Sequence, residues 1–440
     1  MGHQPRSQVC THLSFNIAKG KTRRVVTKRE VPLGTLLFVS EPIGTVARSD
    51  PGQALLPMHL IDHLRGQRLS EADRYKLAVL YDGTPASQQR QTSFKDFEFA
   101  TATTKAWKSR AAAKGFGGGA TGSKQPQGQQ PAAGAAGAQQ QQRVSVEMTQ
   151  GRFESIVNYN AWGSEISDIG AAPARGEKFS SFVGIWPEFS LLNHSCIPNT
   201  TATLIGDRLV VRAASLLPKE AQLTTNYLDT KCGVPLSERR RALQVSYAFR
   251  CGCARCKLEE KLPEELQQKL ESLHQLSLEG GVFDGLVAAA DAKDAAALSA
   301  IAARATAEVE PFEAALGAAG LQAGTLDRAA VCAGAAAFFM ALQRAKMLAA
   351  SAAEASGGSD AGAAGGEGAP RVDPIDLFDL VELLRVYQPG GAAVLATAAD
   401  ALSYTAARHG PGSEQAKAAL QLFLKVRVRV LECTHAFVHV

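Results

Sequence analysis

No stretch of the chain reaches the run of about eighteen apolar residues that a membrane-crossing helix needs, and the first dozen residues lack the apolar core of a secretory signal. The expectation is a soluble, intracellular protein without a membrane partner. Cysteine is scarce and uneven, eight in 440 residues, which excludes a dense disulfide framework. An excess of one charge is also missing: 47 basic against 42 acidic residues leave a formal +5, too mild for the basic stripe of a dedicated nucleic-acid binder. No direct nucleic-acid partner is expected. What is present is 45% hydrophobic and 20% charged residues, which excludes disorder throughout and allows two or three domains at this length.

From 111 to 142, glycine, alanine and glutamine replace nearly every branched apolar residue, so this segment cannot bury enough surface to order itself and reads as a disordered insertion. Residues 350–370 have the same character and read as a flexible loop within a helical region.

Elsewhere the N-terminal part reads as short strands. Arg24 to Lys28 and Thr35 to Val39 are separated by Val31-Pro32-Leu33-Gly34, a type I turn signal that predicts an antiparallel pair. Helices are expected over Ala54 to Leu64 and from Ser70, whose hydroxyl and Asp73 form a capping signal. Thr201 to Ile205 and Arg208 to Arg212 flank Gly206-Asp207 and predict a hairpin. After Cys256 the period changes: Leu262, Leu266, Leu270 and Leu273 fall on one helical face. Asp379 to Tyr387, Ala392 to Arg408 and a segment after Ser413 follow as helices with short turns. They suit a tetratricopeptide-like array or an irregular bundle equally well. Val426 to Val430 alternates like a strand and has no obvious place.

The sharpest local signal is Cys251-Gly252-Cys253-Ala254-Arg255-Cys256, three thiols that leave a tetrahedral zinc site one ligand short. Cys196, within Asn193-His194-Ser195-Cys196-Ile197-Pro198-Asn199, is the candidate fourth ligand, because the run between could fold back. By spacing alone, zinc stands against ordinary buried or free thiols.

These motifs, with Thr225-Asn226-Tyr227-Leu228-Asp229 and Tyr247-Ala248-Phe249-Arg250 between them, resemble in their order the SET-domain protein-lysine methyltransferases, above all the SET-and-MYND branch. The resemblance runs from about Val9 to Cys256. It implies an α+β fold: a SET-domain β-fold of short antiparallel strands with a pseudo-knot and a post-SET zinc site, then an all-α tetratricopeptide-like C-terminal domain. The corresponding segments are 9–110 for the first strands and helical insert, 143–230 for the second half of the core, 231–256 for the zinc segment and 257–440 for the helices. No cysteine lies between Cys10 and Cys196, so the MYND zinc finger is expected to be absent.

Residue by residue, the resemblance implies S-adenosyl-L-methionine as cofactor, held by Asn160, Asn193, His194, Tyr227 and Phe249. It makes Tyr227 the catalytic tyrosine, Tyr247 a wall of the lysine channel, and Cys196, Cys251, Cys253 and Cys256 the zinc ligands. It further implies a protein substrate bearing a lysine, histone or not, a monomer, and a place in the nucleus or cytoplasm. Such chemistry suits these residue types. Methyl transfer to an amine needs a neutral lysine held in line, whereas free lysine, with a pKa of about 10.4, is protonated at neutral pH. An aromatic channel beside a sulfonium disfavours the ammonium.

Taken singly, several residues have plainer readings. Asn193 and Asn199 suit turns beside Pro198, and His194 suits a structural hydrogen bond rather than a general base. His59 and His63, one helical turn apart, lack a third ligand. Arg239-Arg240-Arg241 reads as a solvated helical face, and Cys232, Cys332 and Cys433 as small unpaired residues. Many SET domains carry a GxG motif in the first strand, and here Thr22-Arg23-Arg24 occupies that place. This frames the alternative, a catalytically silent SET and zinc scaffold that acts by binding proteins.

Overall fold

The computed structural model describes residues 13–16, 24–48, 55–84, 148–164, 181–356 and 374–435. The insertion read at 111–142 lies outside them, as do Cys10, Thr22 and Arg23. Among the described residues the N-terminal half has ten short strands: β1 (Leu13–Asn16), β2 (Arg24–Thr27), β3 (Leu36–Ser40), β4 (Gly44–Arg48), β5 (Trp162–Ser164), β6 (Ser181–Ile185), β7 (Asn193–His194), β8 (Thr200–Ile205), β9 (Arg208–Ala213) and β10 (Thr224–Thr225). They form four small sheets ordered β1-β2, β10-β7, β3-β9-β8 and β4-β6-β5. All pairings are antiparallel except β7 with β10, which is parallel.

The predicted hairpin is β8 and β9, joined through Gly206, whose positive φ of 63° suits the turn. The expected pairing of the two N-terminal strands does not occur. β2 pairs with β1, and β3 with β9. The connecting segment is held instead by the 217–223 region, with Val31 N–H donating to Leu217 O at 2.8 Å and Leu223 N–H to Val25 O at 2.8 Å. Thr35 N–H donates to Pro32 O across a turn whose third residue, Gly34, has φ +80°, the type II arrangement rather than type I. With strand partners available from a distant segment, the turn joins two sheets instead of closing one.

The helix Glu71–Ala78 starts where its capping signal predicts, with Ser70 accepting from Asp73 N–H, and the helix Pro57–Arg65 starts at a proline. The helix Gln150–Asn160 packs beside them. These pieces and the strands enclose an apolar core that includes Val25, Phe38, Ile156, Trp186, Leu209 and Val211. One buried carboxylate ties the layers: Glu188 accepts from Ser40 Oγ at 2.6 Å and pairs with Lys76 Nζ at 3.0 Å. Glu188→Ala strands both partners, and denaturant unfolding should record a loss of about 3 kcal/mol.

From Leu236 onward the described chain is helical. Leu262, Leu266, Leu270 and Leu273 are all buried, as their spacing predicts. The long helices Ala295–Ala318 and Ala336–Ser356 pack together, as do Pro374–Tyr387, Ala392–His409 and Glu414–His435 in succession. Two expectations are corrected. Residues 350–356 continue a helix, and only 357–370 of the expected loop lie outside the description. The alternating 426–430 segment is helical, because Ala416, Ala419 and Val426, spaced by three and seven, put its parent helix into the core. The stretch Leu326–Ala353 is long and apolar enough by length and composition to cross a membrane, although 56% of its most apolar window is buried inside the protein. Cys196, Cys251 and Cys256 belong to the same core as Leu266, Phe312 and Phe338, so the cysteine segment is packed into the helical part.

Candidate functional site

Two pieces of chain converge on the cysteines. After β7, Cys196 points into the core at 0% exposure. The helix Leu236–Tyr247 ends at Ala248, held in the left-handed region at φ 56°, which turns the chain into Phe249 and the cysteine run. Cys253 caps the N-terminus of the helix Ala254–Glu259, and Cys256 lies in it. The four sulfurs of Cys196, Cys251, Cys253 and Cys256 all lie within 4.8 Å of one another. Cys196 is 3.6 Å from Cys256 and 4.0 Å from Cys251, against about 3.8 Å between ligands on a tetrahedral zinc with bonds of about 2.3 Å. The donor set and its spacing therefore fit a zinc ion.

Crowding sets the acidities. The hydrogen bond with Cys232 heads the causes that push the Cys196 thiol up to about 12, and contact with Cys196 raises Cys251 and Cys256 as well. Hydrogen bonds from Cys196, Cys251 and Cys256 make Cys253 the thiol that ionises most readily. Four thiolates cannot share this space without a cation among them.

Two residues around the sulfurs, Arg239 and Cys232, have plainer readings in the sequence, and the structure overturns the first. Arg239 is not on a solvated face: it is fully buried, paired with Glu259 at 2.8 Å, while Arg241 alone of the three is well exposed. Its position was legible in the sequence, because it stands three after Leu236 and four before the buried Leu243 on one helical stripe. Cys232 is a free cysteine, as read, and its buried thiol lies 3.7 Å from the Cys196 carbonyl and beside Arg255. Burial opposes its ionisation, but the Cys196 hydrogen bond and the two guanidiniums prevail and lower its pKa.

His194 connects the sulfurs to the aromatic residues. Its Nδ1 accepts from Tyr227 N–H at 3.0 Å, so the proton of the neutral ring belongs on Nε2, which lies 3.3 Å from Cys196 Sγ. Burial holds its pKa down to about 4, keeping the ring neutral at physiological pH. Both ring nitrogens are thus committed within the protein. The rings of His194, Tyr227, Tyr247 and Phe249 form one group, with centroids 5.0 Å apart for the two tyrosines, 5.3 Å for His194 and Tyr227, and 6.0 Å for His194 and Phe249. Tyr227 Oη donates to Leu192 O at 2.5 Å, and Tyr247 Oη lies 3.4 Å from Tyr227 O. Burial raises the pKa of both phenols, so both keep their protons.

Asn193 sits in β7, in register with Thr224. Nearby, Asn199 accepts from Thr224 N–H at 2.8 Å and donates to Gln222 O at 2.8 Å, tying the two segments side by side. Asn160 is buried at the end of its helix, where its amide donates to Tyr81 O and Ile156 O, each at 2.7 Å. Its carbonyl accepts from the Ser190 hydroxyl at 3.2 Å. The structure thus brings the four cysteines, His194, Tyr227, Tyr247 and Phe249 together, while the side-chain amide of Asn160 is spent on Tyr81 O and Ile156 O. His59 and His63 make local bonds to Leu56 N–H and Gln67, and the four cysteines are the metal-competent group found among the described residues.

No protein-family model matches the chain. Comparison with curated proteins finds the mouse histone-lysine N-methyltransferase SMYD3, 35% identical over 104 residues, covering 21% of this chain and 24% of that protein. The Arabidopsis thaliana histone-lysine N-methyltransferase ASHR1 is 38% identical over 74 residues, 17% of this chain and 15% of that protein. The human protein-lysine N-methyltransferase SMYD4 is 37% identical over 76 residues, 17% of this chain and 10% of that protein. The match thus spans about a quarter or less of each relative's own length. Over that stretch, which includes the motif order and the cysteines of the sulfur cluster, the chain is similar to lysine methyltransferases of the SET-and-MYND branch.

Proposed function

We propose that the protein is an S-adenosyl-L-methionine-dependent protein-lysine N-methyltransferase with zinc at Cys196, Cys251, Cys253 and Cys256. The observation that carries this reading is the continuous link from the sulfurs through His194 to Tyr227, which joins a metal-competent cluster to a nest of four rings. Bound S-adenosyl-L-methionine would supply the methyl group and a neighbouring positive charge. The chain itself would grip it with the backbone of Asn193 and His194 and the face of Phe249. The parallel pairing of β7 with β10 suits a pseudo-knot in which the 224–227 segment passes beside the 193–199 loop.

Tyr227 and Tyr247 would wall a channel that strips water from an incoming lysine, favouring the neutral amine. Tyr227 is our first choice for the hydroxyl that orients the amine. A second reading gives that task to Tyr247, favoured by the 3.4 Å distance that leaves its hydroxyl less committed than that of Tyr227. A cleft of about 810 Å³ is lined by Ile197–Asn199 and by C-terminal residues such as Phe339, Leu342 and Leu383, and none of the four rings lines it.

Calorimetric titration of the zinc-replete protein with S-adenosyl-L-methionine tests the proposal. Micromolar affinity, about −8 kcal/mol, is expected. A folded, metal-loaded protein that gives no heat would exclude the enzyme and leave the silent scaffold.

A further inference from the structure

Beside the sulfurs lies a buried charge group that the proposed reaction does not use. Arg239, Arg255 and Glu259 are 0%, 1% and 2% exposed. Glu259 spends one oxygen on each arginine, Oε2 on Arg239 Nη2 at 2.8 Å and Oε1 on Arg255 Nε at 2.7 Å. Two guanidiniums thus share a single carboxylate, and neither has another ion-pair partner among the described residues. Their other donors go to carbonyls, Arg239 Nη1 to Val234 O at 2.5 Å and Arg255 Nη1 to Cys232 O at 2.9 Å, and to sulfur, with Arg239 Nη2 3.9 Å from Cys256 Sγ and Arg255 Nη1 4.0 Å from Cys232 Sγ. Arg239 Nε and Arg255 Nη2 are buried with no hydrogen-bond partner.

One positive charge is therefore left over in the protein interior, where an unmatched charge is strongly disfavoured. Four neutral thiols would leave it unmatched. Four thiolates around a divalent cation carry two negative charges in excess, and Arg239 touches one of them.

We propose that Arg239 and Arg255, linked by Glu259, are the built-in counter-charge of an anionic tetrathiolate metal centre, with Arg239 positioning and stabilising the Cys256 thiolate. The inference rests on the zinc reading above. It adds that the centre's affinity is set by the net charge of the buried trio rather than by the four ligands alone. Groups that hydrogen-bond a metal's ligands from behind change metal affinity by about 10- to 100-fold.

The test is a charge series in the full chain, read by competition with a colorimetric chelator for zinc and by the thiolate-to-metal absorption of the cobalt-substituted protein. Wild-type protein must first bind zinc, because failure there removes the metal reading itself before any variant is compared. R239M neutralises the trio and is expected to weaken zinc by about 10-fold or more while keeping a four-sulfur cobalt spectrum. R239M/E259Q restores a single positive charge and should recover most of that affinity, although it disrupts the packing further. E259Q alone leaves two positive charges and should hold zinc at least as tightly as wild type, a result that stands even where R239M folds poorly. Zinc affinity unchanged in R239M, a double variant weaker than the single one, or weakened zinc in E259Q would each overturn the proposal.

Discussion

Replacing Cys256 with serine should take the purified protein from about one bound zinc per chain to near none. Cys256 is fully buried, 3.6 Å from Cys196, and sits in the core that also holds Leu266, Phe312 and Phe338. Losing its thiolate would remove one of the four proposed ligands and leave a hydroxyl in that core. The consequence should extend beyond the metal. Structural zinc sites contribute about 10–16 kcal/mol in small peptides, comparable with the about 5–15 kcal/mol that stabilises a whole domain. Thermal unfolding should therefore show a large fall in midpoint for the part of the chain sharing that core. Cys332→Ser serves as control: it lies in the same core but outside the sulfur cluster, so it should lose some stability and keep its zinc. Elemental analysis of both proteins decides the matter, and full zinc in the Cys256 variant would exclude it as a ligand. Zinc must displace protons from thiols whose pKa values are raised, Cys196 to about 12, so acidification should weaken binding.

The second large effect concerns the two tyrosines. Removing the hydroxyl that orients the amine should cost about 100-fold or more in turnover while leaving S-adenosyl-L-methionine binding intact. Tyr227→Phe also strands the Leu192 carbonyl, an added cost of about 1–3 kcal/mol in stability, whereas Tyr247→Phe gives up only a 3.4 Å contact. Measuring methyl transfer, cofactor affinity and unfolding midpoint for both variants separates the roles. Lost turnover with unchanged affinity in Tyr227→Phe assigns the hydroxyl to Tyr227, and the same pattern in Tyr247→Phe alone assigns it to Tyr247. Full turnover in both would refute the mechanism.

The sequence carried the site further than it carried the strand pairing. The three thiols of the cysteine run were visible from local spacing, whereas Cys196, more than fifty residues away, was matched to them through the motif order of the family it resembles. The β8–β9 hairpin was legible for a similar reason, since its turn chemistry is local. The pairing of β2 and β3 was misread because each strand's partner comes from a remote segment, β3 bonding to β9 some 170 residues later. Local turn signals cannot report a better partner at that distance.

Arg239 shows the same boundary from the other side. Its place in a run of three arginines reads as a solvated face, although its spacing from Leu236 and Leu243 sets it on the stripe that the structure buries. Only a carboxylate on a second helix, Glu259, makes the buried choice tolerable. His194 likewise could be named from its motif, but its roles as acceptor from Tyr227 and neighbour of Cys196 depend on two chain segments meeting.

By itself, then, the sequence determined which residues could bind metal, which helices would bury their leucines, and which family's motifs stand in order, because residue chemistry and short-range periodicity are written locally. The tertiary structure alone decided which strands pair beyond the local β8–β9 hairpin, that the cysteines share a core with the C-terminal helices, and that two arginines face one glutamate beside the sulfurs. Those outcomes are settled by competition among distant partners for burial and hydrogen bonds.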